Sequence, residues 1–415
     1  MKKSILILSA LVFAVQMQAQ NIVEEITPNP YDSRVITTGV PFLLIAADAR
    51  AGAMGDMGVA TSADAFSQQW NASKYVFSET KQGVGVSYTP YLSKLVNDIF
   101  LGSVTYFNRL NERSAFAASF RYFSLGEIEF VEDENQTPLI QSPNEFTFDV
   151  SYGLRLSDEF GMAVAMRYLN SNLKIPDGNN DTSAASTFGV DISGLYQSEE
   201  EAYNSFNGKY RLGFAIQNIG PKFKYDEGGQ ENFQPTTLRL GAGFDFILDD
   251  FNKITLASEF TKLLVPTPPI TGTKLVYDDV NNDGEYNPAD GDVQISKDTN
   301  YIIEGKDPDV GFMKGMFQSF SDAPGGFSEE MKEWTWALGA EYYYQDSFAF
   351  RAGYFHESPD KGARQFFAIG AGFKYNVIGI DLSYLFSASK VPSPLENTLR
   401  FSLTFNIDRE AYTEY

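Results

Sequence analysis

The stretch "DVNNDGEYNPAD", residues 279–290, has the oxygen-rich spacing of a calcium loop. Counting from Asp279, Asn281 and Asp283 fall at positions three and five, and Gly284 at six. The Glu285 carbonyl follows at seven, Asn287 at nine and Asp290 at twelve. This matches D-x-[DN]-x-[DN]-G-x5-[DE], in which hard oxygens converge on a hard cation and glycine makes the sharp turn. The Asp at position twelve is shorter than the usual Glu, and the sequence carries no paired second loop. Both points lead to the expectation of a weak, structural site, on the order of 10⁻⁴–10⁻³ M for calcium. Acidic Asn/Gly loops also occur as plain solvated turns, and spacing leaves that alternative open.

Other chemistry is thinly supplied. The chain has no cysteine, which excludes thiol catalysis and cysteine metal sites. Its one histidine, His356, excludes a histidine-built zinc site. A barrel hydrolase could pair His356 with Ser358, but no acid partner or oxyanion donor is evident in the sequence. His356 is therefore expected at an interfacial rim, and no catalytic residue is assigned. The formal charge of -22 excludes a general nucleic-acid binder.

Met1, Lys2 and Lys3 precede an apolar run over 5–15, and Ala19 offers a cleavage site. Residues 1–19 read as a secretory signal peptide, too short in its apolar part to cross a membrane as a helix. No other long apolar run follows, and the mean hydropathy is -0.23, so helical spans are excluded.

Period two dominates the rest. In "EFTFDVSYGLRL", Phe146, Phe148, Val150, Tyr152, Leu154 and Leu156 share one face, opposite Thr147, Asp149, Ser151 and Arg155. In "TLRFSLTFNI", Leu399, Phe401, Leu403, Phe405 and Ile407 oppose Arg400, Ser402 and Thr404. Similar segments begin near Gln82, Asp98, Ser114, Gly161, Thr187, Tyr210, Thr236, Lys253, Glu333, Phe348, Gln365 and Ile378. That makes about fourteen, most of them roughly 9–12 residues long, as tilted membrane strands require. Soluble sandwiches also alternate, but with shorter strands. Here nearly every polar face carries a charge, among them Arg121, Arg167, Asp191, Arg239, Asp245, Glu259, Glu341, Arg351, Lys374 and Asp381. The expected fold is all-β: an outer-membrane antiparallel β-barrel of about fourteen strands with an N-terminal hatch-like segment.

Short turns at Asn111, Asp158, Asp250, Asp346 and Asn376 alternate with longer loops. Such barrels keep short turns in the periplasm and long loops outside. An even strand count then leaves both termini periplasmic and puts the acidic loop 265–332 outside. Loops of that size are usually functional or disordered. Within it, "GFMKGMFQSF" places Phe312, Met313, Met316, Phe317 and Phe320 on one helical face, a candidate partner-binding surface. The expected boundaries are signal peptide 1–19, periplasmic or hatch segment 20–80, barrel 81–408 and periplasmic tail 409–415.

Residues 42–75 lack alternation and are rich in Ala, Gly and Met. "ARAGAMGDMGVA", then "SADAF", then "QQWNASKY" resemble the hatch of FadL-type barrels, with Met54, Gly55, Trp70 and Asn71 at its marker positions. Ala72 stands where that pattern often has proline. More narrowly, "FLLIAADARAGAMGDMG" is similar to the PorV family of type IX secretion outer-membrane proteins. The resemblance implies a fourteen-strand barrel with its hatch in the lumen. It also implies a non-enzymatic protein that binds the large translocon barrel and secreted cargo with a C-terminal sorting domain. Cargo would pass to a sortase-like attachment partner, with outer-membrane lipid around the barrel. Two other readings stay open: a FadL-like channel for hydrophobic solutes, and a lipid A deacylase.

Overall fold

The structure is a computed structural model. It describes residues 21–30, 32–92, 98–130, 139–173, 184–225, 229–389, 396 and 398–407. The expected signal peptide, the C-terminal tail and parts of the loops after Pro90, Gly126, Leu173 and Gly220 lie outside these residues.

Fourteen antiparallel strands of 9–13 residues close into a barrel. They are β1 (Gln82–Pro90), β2 (Ile99–Arg109), β3 (Ser114–Leu125), β4 (Asn144–Arg155), β5 (Phe160–Asn172), β6 (Ala185–Gln197) and β7 (Asn207–Ile219). The ring continues with β8 (Thr237–Ile247), β9 (Asn252–Leu263), β10 (Trp334–Tyr344), β11 (Phe348–His356), β12 (Gln365–Tyr375), β13 (Ile378–Ser387) and β14 (Leu399–Ile407). Closure comes from β1 pairing with β14, from Gln82↔Ile407 to Tyr88↔Phe401.

The alternation has its expected physical meaning. Val104, Phe148, Val164, Leu212, Leu256, Leu338, Phe350 and Ile369 are exposed on the outer wall, where lipid replaces water. Their chain neighbours Ser103, Asp149, Ala165, Arg211, Thr255, Ala337 and Arg351 are buried inside. Rings from Phe120 through Phe146 and Tyr168 to Phe188 follow one another across β3–β6, the aromatic girdle such barrels carry at an interface. Short turns are made by Asx chemistry. Asp249 Oδ1 accepts the Phe251 and Asn252 amides at 2.8 Å each, and Asn376 takes a left-handed φ of 52°.

The N-terminal segment, expected as a periplasmic or hatch segment over 20–80, begins at the long-loop end of the barrel. Ile22–Pro28 is a strand that pairs with Ile270–Asp278 of the long loop, which in turn pairs with Val293–Glu304. This three-stranded sheet stands at the long-loop mouth. Val40, Phe42 and Leu43 then pack on Leu101, Phe123 and Leu169 at the same end of the barrel. Tyr75 and Val76 pack on Phe107, Ala115 and Ala163 beside the short turns, just before β1 begins. The even strand count does put both ends of the barrel itself at the short-turn rim. It does not constrain the preceding chain, which runs back through the lumen and emerges at the other mouth.

Candidate functional site

The segment in the lumen is built to be held. Asp48 caps the helix Ala49–Ala53 by accepting the Ala51 amide at 2.8 Å. Its other oxygen accepts the Trp70 indole N–H at 2.8 Å, joining the two halves of the segment. Asn71 donates to the carbonyls of Val59 at 2.9 Å and Gly194 at 3.0 Å, and its own oxygen caps the turn Ala72–Phe77. Met54 packs with Met57 against Ala257 and Ala337. Gly55, at φ +86°, brings its backbone against that of Tyr354. All four expected marker residues therefore lie inside the barrel.

The wall answers with charge. Glu341 of β10, 1% exposed, accepts from Arg50 at 2.8 and 3.0 Å and from Arg351 at 2.6 Å. Glu259 of β9 accepts the Gly58 and Val59 amides at 2.9 Å each and Arg239 at 2.8 Å. Arg211 of β7 clamps Asp245 at 2.6 Å and donates to the Ala60 carbonyl at 3.0 Å. Ser402 of β14 accepts the Ala49 amide at 2.8 Å, and Arg400 reaches Asp56 at 2.6 Å. Gln68 meets Ser151 of β4, nearly across the ring from Glu341. Removing one partner of a buried, hydrogen-bonded ion pair costs about 3–5 kcal/mol, so these contacts fix the segment firmly. A polar vestibule of about 360 Å³ remains at the short-turn end, lined by Asp64, Lys209, Lys253 and Asp346.

The opposite mouth is covered by loop 265–332. Lys262 is buried between Glu330 at 3.2 Å and Glu333 at 2.6 Å. Lys361 holds Glu329 at 2.7 Å and Glu333 at 3.0 Å, and Arg34 also pairs with Glu329. Burial would raise the Glu329 carboxyl, but hydrogen bonds from Arg34, Lys361 and the Gly325 amide outweigh it and hold the group at about 2.

The candidate partner face divides. In the helix Phe312–Gln318, Met316 is buried and Phe312 half-buried, while Met313 and Phe317 are exposed, Phe317 at 72%. Phe320 is exposed too. Gly315 and Met316 are the buried positions of the helix, so Met316 anchors it, while Met313, Phe317 and Phe320, the last beyond the helix end, present the outer surface.

The oxygen-rich loop folds on itself at the tip of the outer sheet. Asp279 is buried and accepts the Asn282 amide at 2.7 Å and the Gly284 amide at 2.9 Å. Asp283 accepts the Glu285 amide at 2.8 Å, and Asn287 donates to Asp290 at 2.6 Å. Asp292, missed by the sequence pattern, is buried and accepts the Val280 and Asn287 amides at 3.0 and 2.9 Å. Among the described residues, no three acidic, histidine or cysteine side chains are grouped to hold a metal ion. The oxygens suit calcium chemically, but those of Asp279, Asp283 and Asp292 accept amides of their own loop.

His356 stacks on Trp336, with centroids 5.0 Å apart, and its Nδ1 lies 3.3 Å from the Tyr354 hydroxyl. The Ser358 hydroxyl accepts the Asp360 amide at 3.4 Å instead of bonding His356.

The family model for the type IX secretion system protein PorV matches residues 29–270, more than half of the chain. The chain belongs to the PorV family. It is an integral outer-membrane component of the type IX secretion system, in a family that is not one of enzymes. No curated protein matches the chain. Solved structures similar to this PorV-family barrel include a Pseudomonas aeruginosa FadL homologue, at 11% identity and TM-score 0.44, covering 91% of this chain and 100% of the other. The Ralstonia pickettii toluene transporter TbuX is 10% identical with TM-score 0.42, covering 88% and 97%. The Pseudomonas putida toluene transporter TodX is 11% identical with TM-score 0.43, covering 90% and 98%. The barrel architecture rests on its strand pairing, not on these likenesses.

Proposed function

We propose that this PorV-family protein is a non-enzymatic docking station at the outer membrane. It binds the large translocon barrel and the C-terminal sorting domain of secreted cargo, and delivers cargo to a sortase-like partner for surface attachment. The observation that carries this reading is a lumen occupied by residues 40–80 beneath a mouth that exposes Met313, Phe317 and Phe320. An occupied lumen argues against conduction as the main task, and adaptable Met and aromatic side chains suit protein contact. Calcium enters only as a proposed brace for the loop 279–292.

Replacing Met313, Phe317 and Phe320 together with serine tests the reading. The barrel should keep its heat-modifiable mobility while cargo attachment at the cell surface falls. Normal attachment with that triple substitution would count against the docking face. Lost uptake of an apolar solute in the same variant would instead favour the FadL-like channel. Deacylation of lipid A has no assembled His–Ser pair behind it.

A further inference from the structure

A second apolar feature lies on the outside of the barrel. Leu240, Phe260, Trp336 and His356 stand directly opposite one another on β8, β9, β10 and β11. They form one row on the membrane-facing wall, close to the long-loop rim. The short helix Phe327–Lys332 overhangs this row. Between them is a groove of about 560 Å³ lined by Leu240, Phe260, Met331, Trp334, Trp336 and His356, with Lys332 and Ser358 at its edge. It opens on the outer face of the wall, whereas Glu259, the chain neighbour of Phe260, meets the lumen segment on the inner face.

Three observations decide what it would take. The floor is apolar and continuous with the lipid-facing wall, so the occupant comes from the hydrocarbon layer. The next row toward the membrane centre has Ala242 and Ser258 beneath Leu240 and Phe260, leaving the wall low where a chain would run. The upper edge is polar: Lys332 is half exposed while holding Asp360 at 2.7 Å, and His356 is fixed by its stack on Trp336. Apolar below and polar above, with Trp at the boundary, is the profile of a lipid crossing from chain to headgroup.

We propose that this groove binds one acyl chain of an outer-leaflet lipid, with the head of that lipid at the level of Lys332, His356 and Ser358. Ordinary wall lipid exchanges freely along a smooth surface. A chain under the Phe327–Lys332 overhang has protein on both sides and leaves more slowly. The bound lipid also fills the gap between that helix and the wall, and so ties the mouth loop to the membrane surface.

Native mass spectrometry of the full-length protein, extracted from its membrane in mild detergent, tests this. Wild-type protein is expected to retain one lipid after detergent exchange. Leu240→Trp fills the groove and should cut retention by about tenfold, equivalent to ~1.4 kcal/mol. Val104→Trp adds at least as much bulk at an exposed position on a distant part of the wall and should change nothing. Trp336→Ala, which removes bulk, gives a second reading if Leu240→Trp fails to fold, and it too should lower retention. Absence of retained lipid in the wild type, or equal retention in wild type and both groove variants, would overturn the proposal. A photocrosslinker at position 336 that captures protein and no lipid would assign the groove to a protein neighbour and overturn it as well.

Discussion

At Gly353 the inner wall has no side chain because another backbone occupies the space. A Cβ there would lie 2.2 Å from the Gly55 nitrogen. The clash is with backbone rather than with the end of a flexible side chain, and Gly55 itself sits at φ +86°, which glycine adopts freely and L side chains rarely do. Gly353→Val should therefore lift the segment from the wall, and ion conductance in planar bilayers should rise above that of the wild type. A folded Gly353→Val barrel with unchanged conductance would mean that this segment is not what closes the lumen. Glu329 gives a pH test at the mouth. Its carboxyl lies near 4.5 when free and at about 2 in the fold, so its contribution is fully present above the higher value. That contribution fades as pH falls from about 4.5 toward about 2, and protease should then cut loop 265–332 faster. Glu329→Gln should be cut faster already at neutral pH, with a flatter acid response. An identical acid response in Glu329→Gln would assign the change to other groups. The charges on strand inner faces were legible in the sequence because period two separates them from their neighbours. Their partners Arg50, Asp56 and the amides of Gly58 and Val59 were not, because those pairings join residues far apart in the chain.

Strands were the most legible elements. Each expected start lies within a few residues of an observed one, because lipid on one side and buried polar groups on the other enforce alternation over the whole span. The strand Ile22–Pro28 was not legible in its role. "IVEEITP" has strand character, but nothing local names Ile270–Asp278 as its partner. The loop 279–290 shows the opposite problem: its pattern is local and clear, yet Asx turns satisfy the same oxygens that a cation would use. We expect calcium to bind weakly here, by drawing Asp279, Asp283 and Asp292 away from their amides. Titration should then protect the loop from protease with a midpoint on the order of 10⁻⁴–10⁻³ M, and Asp279→Ala with Asp283→Ala should abolish the effect. If the double substitution leaves calcium-dependent protection as it was, the stretch is a turn and no more. The helix Phe312–Gln318 was legible as apolar, but which of its residues faces solvent depended on Pro266 and Phe233 packing beneath Gly315.

On the scale of the whole molecule, one chain passes from the outer sheet at Ile22–Pro28, through the lumen, to the short-turn rim, and only then forms the barrel. The mouth loop, the N-terminal strand and the lumen segment are thereby one connected structure. Arg34 pairing with Glu329 ties that chain to the helix at the rim. This arrangement suits a protein that presents a fixed outer surface to others, and suits a solute conduit poorly. The most direct measurement is gentle purification of the protein from its native membrane, with identification of what accompanies it. A very large barrel protein is expected together with secreted proteins that share a C-terminal domain, and these should be lost when Met313, Phe317 and Phe320 become serine. An isolated barrel carrying small apolar solutes in its lumen, with no translocon and no cargo, would contradict it.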